Sequence, residues 1–330
     1  MTLCSLIIPT FNRPTDLARC LRSIKRLRRG FDEILIVDQG DPRATEEVLK
    51  RHGSLNARVL TQSVPSLTRA RNLGIANAAG RFVFFADDDT TLHPRYVETA
   101  LDCFSRYPDV VGLTGHIDHG WKARGAPRWM WRRFLALLLL VSSFRWEVMR
   151  SGANSAPFWD MGTRRFRDRH GPVSRDVAFL FGCHFACRRE VFEDGFRFDE
   201  RFIRWGFGED VMFSYRLYKH YGHGSLAYCP AFALRHYWGR DLSLSDESAV
   251  RMQVIYRFVF WRQEVYEGSP LNALCYLYSQ IGFALLLVRR YRHAKRRAWR
   301  AAWKSYLYLL AHHREIARDR IDYNRFILDG

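Results

Sequence analysis

Apolar runs and helical stripes alternate along the first third of the chain. Leu3–Pro9 is a short run rich in Ile and Leu, which predicts a buried strand. Thr15–Leu27 carries Leu17, Leu21, Ile24 and Leu27 at helical spacing. Glu33–Val37 predicts the next strand, ending at Asp38; Thr45–Arg51 predicts a helix, Ala57–Thr61 a third strand, and Ser66–Ala79 a helix that Gly80 closes. Arg81–Ala86 predicts a strand running into Asp87-Asp88-Asp89, and Pro94–Tyr107 a further helix. Such alternation predicts an α/β fold, a mostly parallel central sheet with helices on both faces. Ligands of such sheets bind beyond the carboxyl ends of the strands. Thr10–Arg13, Asp38 and the Asp triplet all fall there.

The pattern weakens over 116–176, a stretch rich in Arg, Trp and Gly. Inside it, Phe134–Phe144 is a compact apolar run flanked by Arg132, Arg133 and Arg145, too short to span a bilayer. It reads equally as a buried helix or a partly inserted one. Compact patterning resumes at Val177. Phe179–Cys187 predicts a strand, Gly208-Glu209-Asp210 opens a helix through Tyr218, and Ser225–Ala233 is extended. The region 247–330 reads as a helical extension. Pro270–Val288 is apolar and at the lower limit for a membrane span. Arg289–Lys304 then carries eight Lys and Arg residues and no acid. On a helical wheel Trp299, Trp303, Tyr306 and Leu310 share one face, and Arg297, Arg300 and Lys304 the other. That segregation fits an interfacial amphipathic helix. A helix docked on the core with a solvated basic face is the alternative.

Composition narrows the partners. Lys and Arg number 52 against 34 Asp and Glu, a formal net charge of +18. That excess favours a polyanionic partner: nucleic acid, an anionic membrane or phosphorylated substrates. No helix-turn-helix, RRM or zinc-finger pattern accompanies it, so nucleic acid is not expected. No G-x-G-x-x-G follows the first strand, which argues against a dinucleotide-binding dehydrogenase. The seven cysteines are odd in number and scattered, as for free thiols in a reducing compartment. Cys183, His184 and Cys187 could be part of a zinc site or simply core residues. The start, Met1–Pro9, has neither a basic n-region nor a cleavage site, so a cytoplasmic location is expected.

Three clusters can carry chemistry. The Asp87-Asp88-Asp89 run ends an apolar strand; adjacent carboxylates repel unless a cation neutralises them, and hard oxygen clusters suit Mg²⁺ or Mn²⁺. Taken alone it is equally an acidic turn. In Trp205-Gly206-Phe207-Gly208-Glu209-Asp210, glycines beside paired acids allow close approach, and a carboxylate at a helix start can serve as a base. The same pair could merely favour a first helical turn. His236 is a metal ligand or a structural histidine.

The order of these pieces resembles glycosyltransferase family 2. It is carried by Ser5-Leu6-Ile7-Ile8-Pro9-Thr10-Phe11-Asn12-Arg13, Ile36-Val37-Asp38, Ala70-Arg71-Asn72-Leu73-Gly74, the Asp triplet, Gly208-Glu209-Asp210 and His236, over about residues 3–240. The resemblance implies a GT-A fold. It implies nucleotide binding by Pro9, Thr10, Asn12, Arg13, Asp38, Arg71 and Asp87. It implies a divalent cation, Mn²⁺ or Mg²⁺, on Asp89 and His236. Asp210 would be the catalytic base, Glu209 would hold acceptor hydroxyls, and Trp205 would be part of the acceptor platform. The expected organisation is a nucleotide-sugar half over 1–115, an Arg/Trp-rich insertion over 116–176, an acceptor half over 177–246 and a membrane-associating tail over 247–330. The expected reaction is inverting sugar transfer from a nucleoside-diphosphate sugar, foremost a UDP-sugar, to a glycan or lipid-linked acceptor at the inner face of the cell membrane. A nucleic-acid-binding protein or a non-catalytic membrane scaffold is the rival reading. One departure stands out: the second strand ends in Asp38-Gln39-Gly40-Asp41, where the family usually has Asp-Asp-Gly-Ser or similar. The Gln-x-x-Arg-Trp motif of processive synthases is not evident, so transfer of single sugars is favoured. The oligomeric state stays open.

Overall fold

The computed structural model describes residues 3–118, 173–175, 177, 179–237, 245–266, 268, 270–291 and 293–330. Two compact units emerge: the first runs over Met1–Lys122 and Gly162–Gly239, and the second includes Arg240–Gly330. Phe134–Phe144 lies outside the described residues.

The first unit is built on an eight-stranded sheet. Its strands are β1 (Cys4–Thr10), β2 (Glu33–Asp38), β3 (Ala57–Thr61), β4 (Phe82–Ala86), β5 (Thr90–Leu92), β6 (Gly112–Asp118), β7 (His184–Arg188) and β8 (Leu226–His236), in spatial order β3-β2-β1-β4-β7-β6-β8-β5. β1 and β4 are buried along their whole length, as their apolar runs predict for inner strands, whereas β3 alternates between exposed and half-buried positions, as an edge does. β3, β2, β1 and β4 are parallel, β7 runs antiparallel to β4 and β6, β6 is parallel to β8, and β5 is antiparallel to β8. The sheet is therefore mixed beyond β4, a feature the sequence reading did not contain.

The helices α1 (Pro14–Ile24), α2 (Pro42–Lys50), α3 (Leu67–Asn77) and α4 (Tyr96–Arg106) follow the predicted stripes to within a few residues. Leu17, Leu21 and Ile24 of α1 and Val97, Ala100 and Phe104 of α4 join Leu6, Ile8 and Phe84 in one core. On the other face Phe85 stacks on Phe185, and Phe198 stacks on Phe213. Phe213 lies in α6 (Glu209–Tyr221), which follows the one-turn helix α5 (Glu190–Glu193). The predicted strand over Phe179–Cys187 is corrected: only His184–Arg188 pairs as a strand, because Gly182 and Cys183 form a turn.

The second unit is helical, as expected. α7 (Asp246–Phe260) is buried on nearly every side and ends in a π-turn, Trp261–Val265. α8 (Pro270–Arg290), α9 (Lys295–Ala317) and α10 (Tyr323–Asp329) follow. The Arg257 guanidinium donates to Ser279 Oγ of α8 at 2.9 Å, and Arg251 donates to the Ile327 carbonyl of α10 at 3.0 Å. Among the described residues no helix is long and apolar enough to cross a membrane.

A register shift between Gly115 and His116 breaks the β6–β8 ladder. A Cβ at Gly115 would lie 1.7 Å from the Phe232 carbonyl oxygen and 2.7 Å from that of Cys229. Backbone cannot yield there as a side-chain tip could. Gly115→Ala is expected to cost about 2 kcal/mol or more, in the range of overpacking. Urea denaturation measures it, and a loss under about 0.5 kcal/mol, the size of an ordinary surface change, rejects the argument.

Candidate active site

The site lies where the chain reverses its direction across the sheet. β1 leads outward to β2 and β3, and the chain then returns to β4 on the opposite side of β1. The carboxyl ends of β1 and β4 therefore open a crevice. Thr10 ends β1, and its hydroxyl donates to Asp88 Oδ2 at 2.7 Å across that crevice. Arg13 Nη1 lies 3.4 Å from Asp88 and 3.6 Å from Asp89. Burial pushes the Asp88 carboxyl up to about 7, against Thr10 and Arg13.

His236 arrives from far along the chain through the pairing of β5 with β8, which sets Thr90 opposite His236. The Tyr237 amide donates to the Asp89 carbonyl at 2.9 Å, and His236 Nε2 lies 2.9 Å from Asp89 Oδ1. Burial alone would lower the imidazole pKa, but the Asp89 hydrogen bond and the charge of Asp87 outweigh it, so it is raised. Asp87, Asp89 and His236 offer ligand atoms that all lie within 4.8 Å of one another. Two carboxylate oxygens and an imidazole nitrogen fit a divalent cation such as Mn²⁺ or Mg²⁺.

Arg71 joins this cluster to a second one. It sits on α3, 1% exposed, with its guanidinium 5.1 Å from the centre of the Phe198 ring. It pairs with Asp87 at 3.5 Å, donates to Glu209 Oε1, and donates to the Gly182 carbonyl at 2.7 Å. Burial would lower the Arg71 pKa, but Glu209 and Asp87 hold it above its ordinary value. Burial, then the neighbouring Asp210, push Glu209 up to about 8, with Arg71 opposing. Burial also raises Asp210, opposed by the Gly182 amide, which donates to Asp210 Oδ2 at 2.9 Å. Asp210 Oδ1 accepts from the Val211 amide at 2.8 Å, at the first turn of α6. Asp87, Asp88, Asp89, Glu209 and Asp210 thus crowd around Arg13, Arg71 and His236, and burial raises Asp87, Asp88, Glu209 and Asp210 toward their neutral forms, a cost that a bound cation would offset.

The loop before α6 turns through three left-handed residues, Arg204, Gly206 and Gly208. The Arg204 carbonyl accepts from the Leu67 amide at 2.8 Å, which ties this loop to the start of α3. Trp205 is half-buried and meets the Phe207 ring edge-on at 5.9 Å.

Several of the expected nucleotide residues also hold contacts within the protein. Asp38 is buried, and its oxygens accept from the Gly40 amide at 2.6 Å and from the Thr45 hydroxyl, so the carboxylate holds the β2–α2 turn. Asn12 is left-handed, with φ of 53°, and accepts from the Asp41 amide at 3.1 Å. A Cβ at Gly40 would strike Asn12 Oδ1 at 2.1 Å, which explains why the glycine of the usual motif is kept while its neighbours differ. Pro9 is buried in register with Val37. Arg71 and Glu209 pair with each other, because a buried guanidinium demands a carboxylate.

Sequence reasoning gave Asp88 no separate role within the Asp triplet, weighed Cys183 only as a zinc ligand or core residue, and missed Gly182. The Cys183 thiol is pushed well above its ordinary value by burial and by the charges of Asp87, Asp210 and Asp89, so it borders both clusters. A glycine ahead of a C-H pair was the only available signal. The zinc reading of Cys183, His184 and Cys187 gives way to core packing. His184 is fully buried, with Nδ1 2.9 Å from the Tyr96 hydroxyl and Nε2 2.8 Å from the Phe232 carbonyl.

A mixed α/β sheet with an acidic switch point and a late histidine is the arrangement of a GT-A fold. The Glycosyl transferase family 2 model matches residues 5–196, and the chain belongs to that family. EpsH of Bacillus subtilis (strain 168), named as a glycosyltransferase, is 30% identical over 109 residues, 32% of this chain and 32% of EpsH. The chain spans about a third or less of the length of curated relatives of this kind. The crystal structure of S. aureus TarS aligns with a TM-score of 0.55 at 14% identity, covering 99% of this chain and 90% of that one. Mannosyltransferase PcManGT from Pyrobaculum calidifontis, in complex with GDP-Man and Mn²⁺, aligns with a TM-score of 0.54 at 14% identity, covering 93% and 75%. At these identities the likeness shows the fold.

Removing one partner of a buried ion pair costs about 3–5 kcal/mol because the other charge is stranded. Arg71→Met is expected to destabilise the protein by that amount, and Glu209→Gln in the same chain to restore part of it. A double-mutant cycle by urea denaturation reads the coupling, expected above about 1 kcal/mol. Strict additivity would show that Arg71 and Glu209 do not support one another.

Proposed function

We propose that this enzyme transfers a single sugar, with inversion, from a nucleoside-diphosphate sugar to a hydroxyl group of a glycan or lipid-linked acceptor. The observation that carries this reading is Arg71, which links a cation-binding cluster on one side to a base-bearing helix start on the other. A UDP-sugar is the donor we favour, with dTDP- and GDP-sugars as the alternatives. The half over 1–115 would hold the donor and the half over 177–246 the acceptor, with the Trp205–Gly208 loop as its platform. The tail over 247–330 would keep the enzyme at the inner face of the membrane, in keeping with the net charge of +18.

The chemistry is one displacement. Asp210 accepts the proton of the acceptor hydroxyl. That oxygen bonds to the anomeric carbon, the bond from this carbon to the β-phosphate oxygen breaks, and its electron pair leaves with the nucleoside diphosphate. A divalent cation held by Asp87, Asp89 and His236 would neutralise charge on the diphosphate. Arg71 keeps Asp87 and Glu209 fixed, and the Gly182 and Val211 amides hold the Asp210 carboxylate in place. Backside attack in a single step inverts the anomeric centre.

Asp89→Ala should remove most of the Mn²⁺-dependent affinity for UDP. Calorimetry with and without the ion measures this, and equal affinity in variant and parent would dismiss the cation site.

Asp210→Asn keeps the shape but not the proton acceptor. Transfer is expected to fall roughly 10²-fold or more, with UDP binding little changed. The base must be ionised, and burial holds Asp210 above its ordinary 3.8. Turnover should therefore decline as pH falls through a value above that figure, and the variant's residual activity should lack this acid limb. A pH–rate profile with the same limb in both proteins would assign the base elsewhere.

A further inference from the structure

The second unit exposes apolar side chains on two of its helices, not one. On α8, Leu274, Leu277 and Ile281 are each more than half exposed, at the spacing i, i+3, i+7 of one helical face. On α9, Trp299, Trp303 and Leu310 are each more than half exposed, at i, i+4, i+11, a stripe of about 16 Å at 1.5 Å per residue. The sequence pattern pointed to α9 as an interfacial helix and to Pro270–Val288 only as a borderline span.

The two stripes belong to one side of the unit. α8 turns Tyr276 and Ser279 toward α7, where Tyr276 stacks on Trp261 at the end of α7 and Ser279 receives Arg257. Its exposed residues lie on the opposite face of the helix. α9 buries a small-residue face, Ala298, Ala301, Ala302, Ser305 and Leu309, and its tryptophans stand clear of that face. Tyr306, on the edge of the α9 stripe, donates its hydroxyl to Gln280 Oε1 of α8 at 3.4 Å, so the α9 stripe borders α8. Beyond it, Arg297, Arg300 and Lys304 form an exposed basic edge.

We infer that α8 and α9 together form a shallow docking face for an anionic lipid bilayer, an inference that rests on the membrane reading given above and specifies its contact surface. Charge selects the occupant. Apolar and tryptophan side chains enter the boundary between headgroups and acyl chains, about 5–10 Å deep, while a basic edge meets anionic headgroups. The face lies on the bilayer without crossing it: among the described residues no helix is apolar enough to span. Folding alone does not account for large apolar groups on the outer faces of two neighbouring helices.

The test uses the full chain and two double variants, Leu277→Ser/Ile281→Ser on α8 and Trp299→Ser/Trp303→Ser on α9. Each is co-sedimented with phosphatidylcholine vesicles with or without phosphatidylglycerol, at low and high salt. The parent should pellet with the anionic vesicles, less so at high salt. Each variant should lose about tenfold or more in partitioning, the scale of removing two large apolar groups from a buried position. Urea midpoints and Mn²⁺-dependent UDP binding should stay at parental values, since these residues are exposed. If the α8 variant pellets like the parent while the α9 variant does not, the two-helix face is wrong and the membrane reading survives on α9. If the parent itself stays in solution with anionic vesicles, the membrane reading fails as well. Sedimentation of the parent as a dimer that both variants dissociate, with no response to lipid, would assign the face to a second copy and overturn the inference.

Discussion

A single buried guanidinium organises the catalytic unit. Arg71 is sealed beneath the sheet ends and cannot lose its charge. It must therefore be surrounded by acceptors, and it draws them from three separate stretches: Asp87 after β4, the Gly182 carbonyl before β7, and Glu209 at the start of α6. Those stretches carry, respectively, the Asp87–Asp89–His236 cluster, the amide that holds Asp210, and the neighbour of Asp210. The charge in the middle fixes the distance between that cluster and Asp210. Phe198 beneath the guanidinium and the stacked Phe198–Phe213 pair hold it from the apolar side.

The mixed sheet has the same consequence by a different route. A purely parallel continuation would send each new strand end to the same edge through a helical crossover. Here the antiparallel pairing of β5 with β8 returns the chain directly, so that His236 meets Asp89 through ladder geometry. The bulge at Gly115 lets β8 change register against β6 before that point. A histidine with no local motif around it joins Asp87 and Asp89 because a three-residue strand, Thr90–Leu92, captures the end of an eleven-residue one.

Legibility in the sequence followed the range of the interactions. β1 and β4 announced themselves because an inner strand is apolar throughout, and the Asp triplet stood out because three acids after such a run have no core explanation. α1 and α4 were legible from spacing. β5 and β6 were not: one is too short to show a period, and Gly112–Asp118 mixes Gly, Thr and His. Phe179–Cys187 looked like a strand because apolar and aromatic residues dominate it, but Gly182 is needed in a turn whose amide and carbonyl are claimed by Asp210 and Arg71. No local pattern reveals that claim. Asp38 was marked for chemistry by its place at a strand end, and the same place lets its carboxylate close the turn into α2. On α9 the tryptophan and arginine stripes were visible in the sequence, yet the alanine and serine face that docks the helix was not, since small residues carry little periodic signal.

Glu209 and Asp210 show how two adjacent acids come to differ. Consecutive residues in a first helical turn point about 100° apart, so they cannot face the same surroundings. Glu209 turns inward to Arg71 and is nearly sealed, whereas Asp210 remains partly open, and its carboxylate is oriented by the Gly182 and Val211 amides. The open end of α6 favours negative charge at both positions. For Glu209 that charge is consumed by the guanidinium. For Asp210 neutral amides provide the holding contacts, and an amide offers no proton that the carboxylate could take in its place. A carboxylate fixed by neutral donors, partly accessible, and raised by burial above the ordinary aspartate range keeps its basicity available to an incoming hydroxyl. The division between the acid that Arg71 neutralises and the one that stays partly open therefore follows from helix geometry and from the single cation beside them, without any difference in kind between the two side chains.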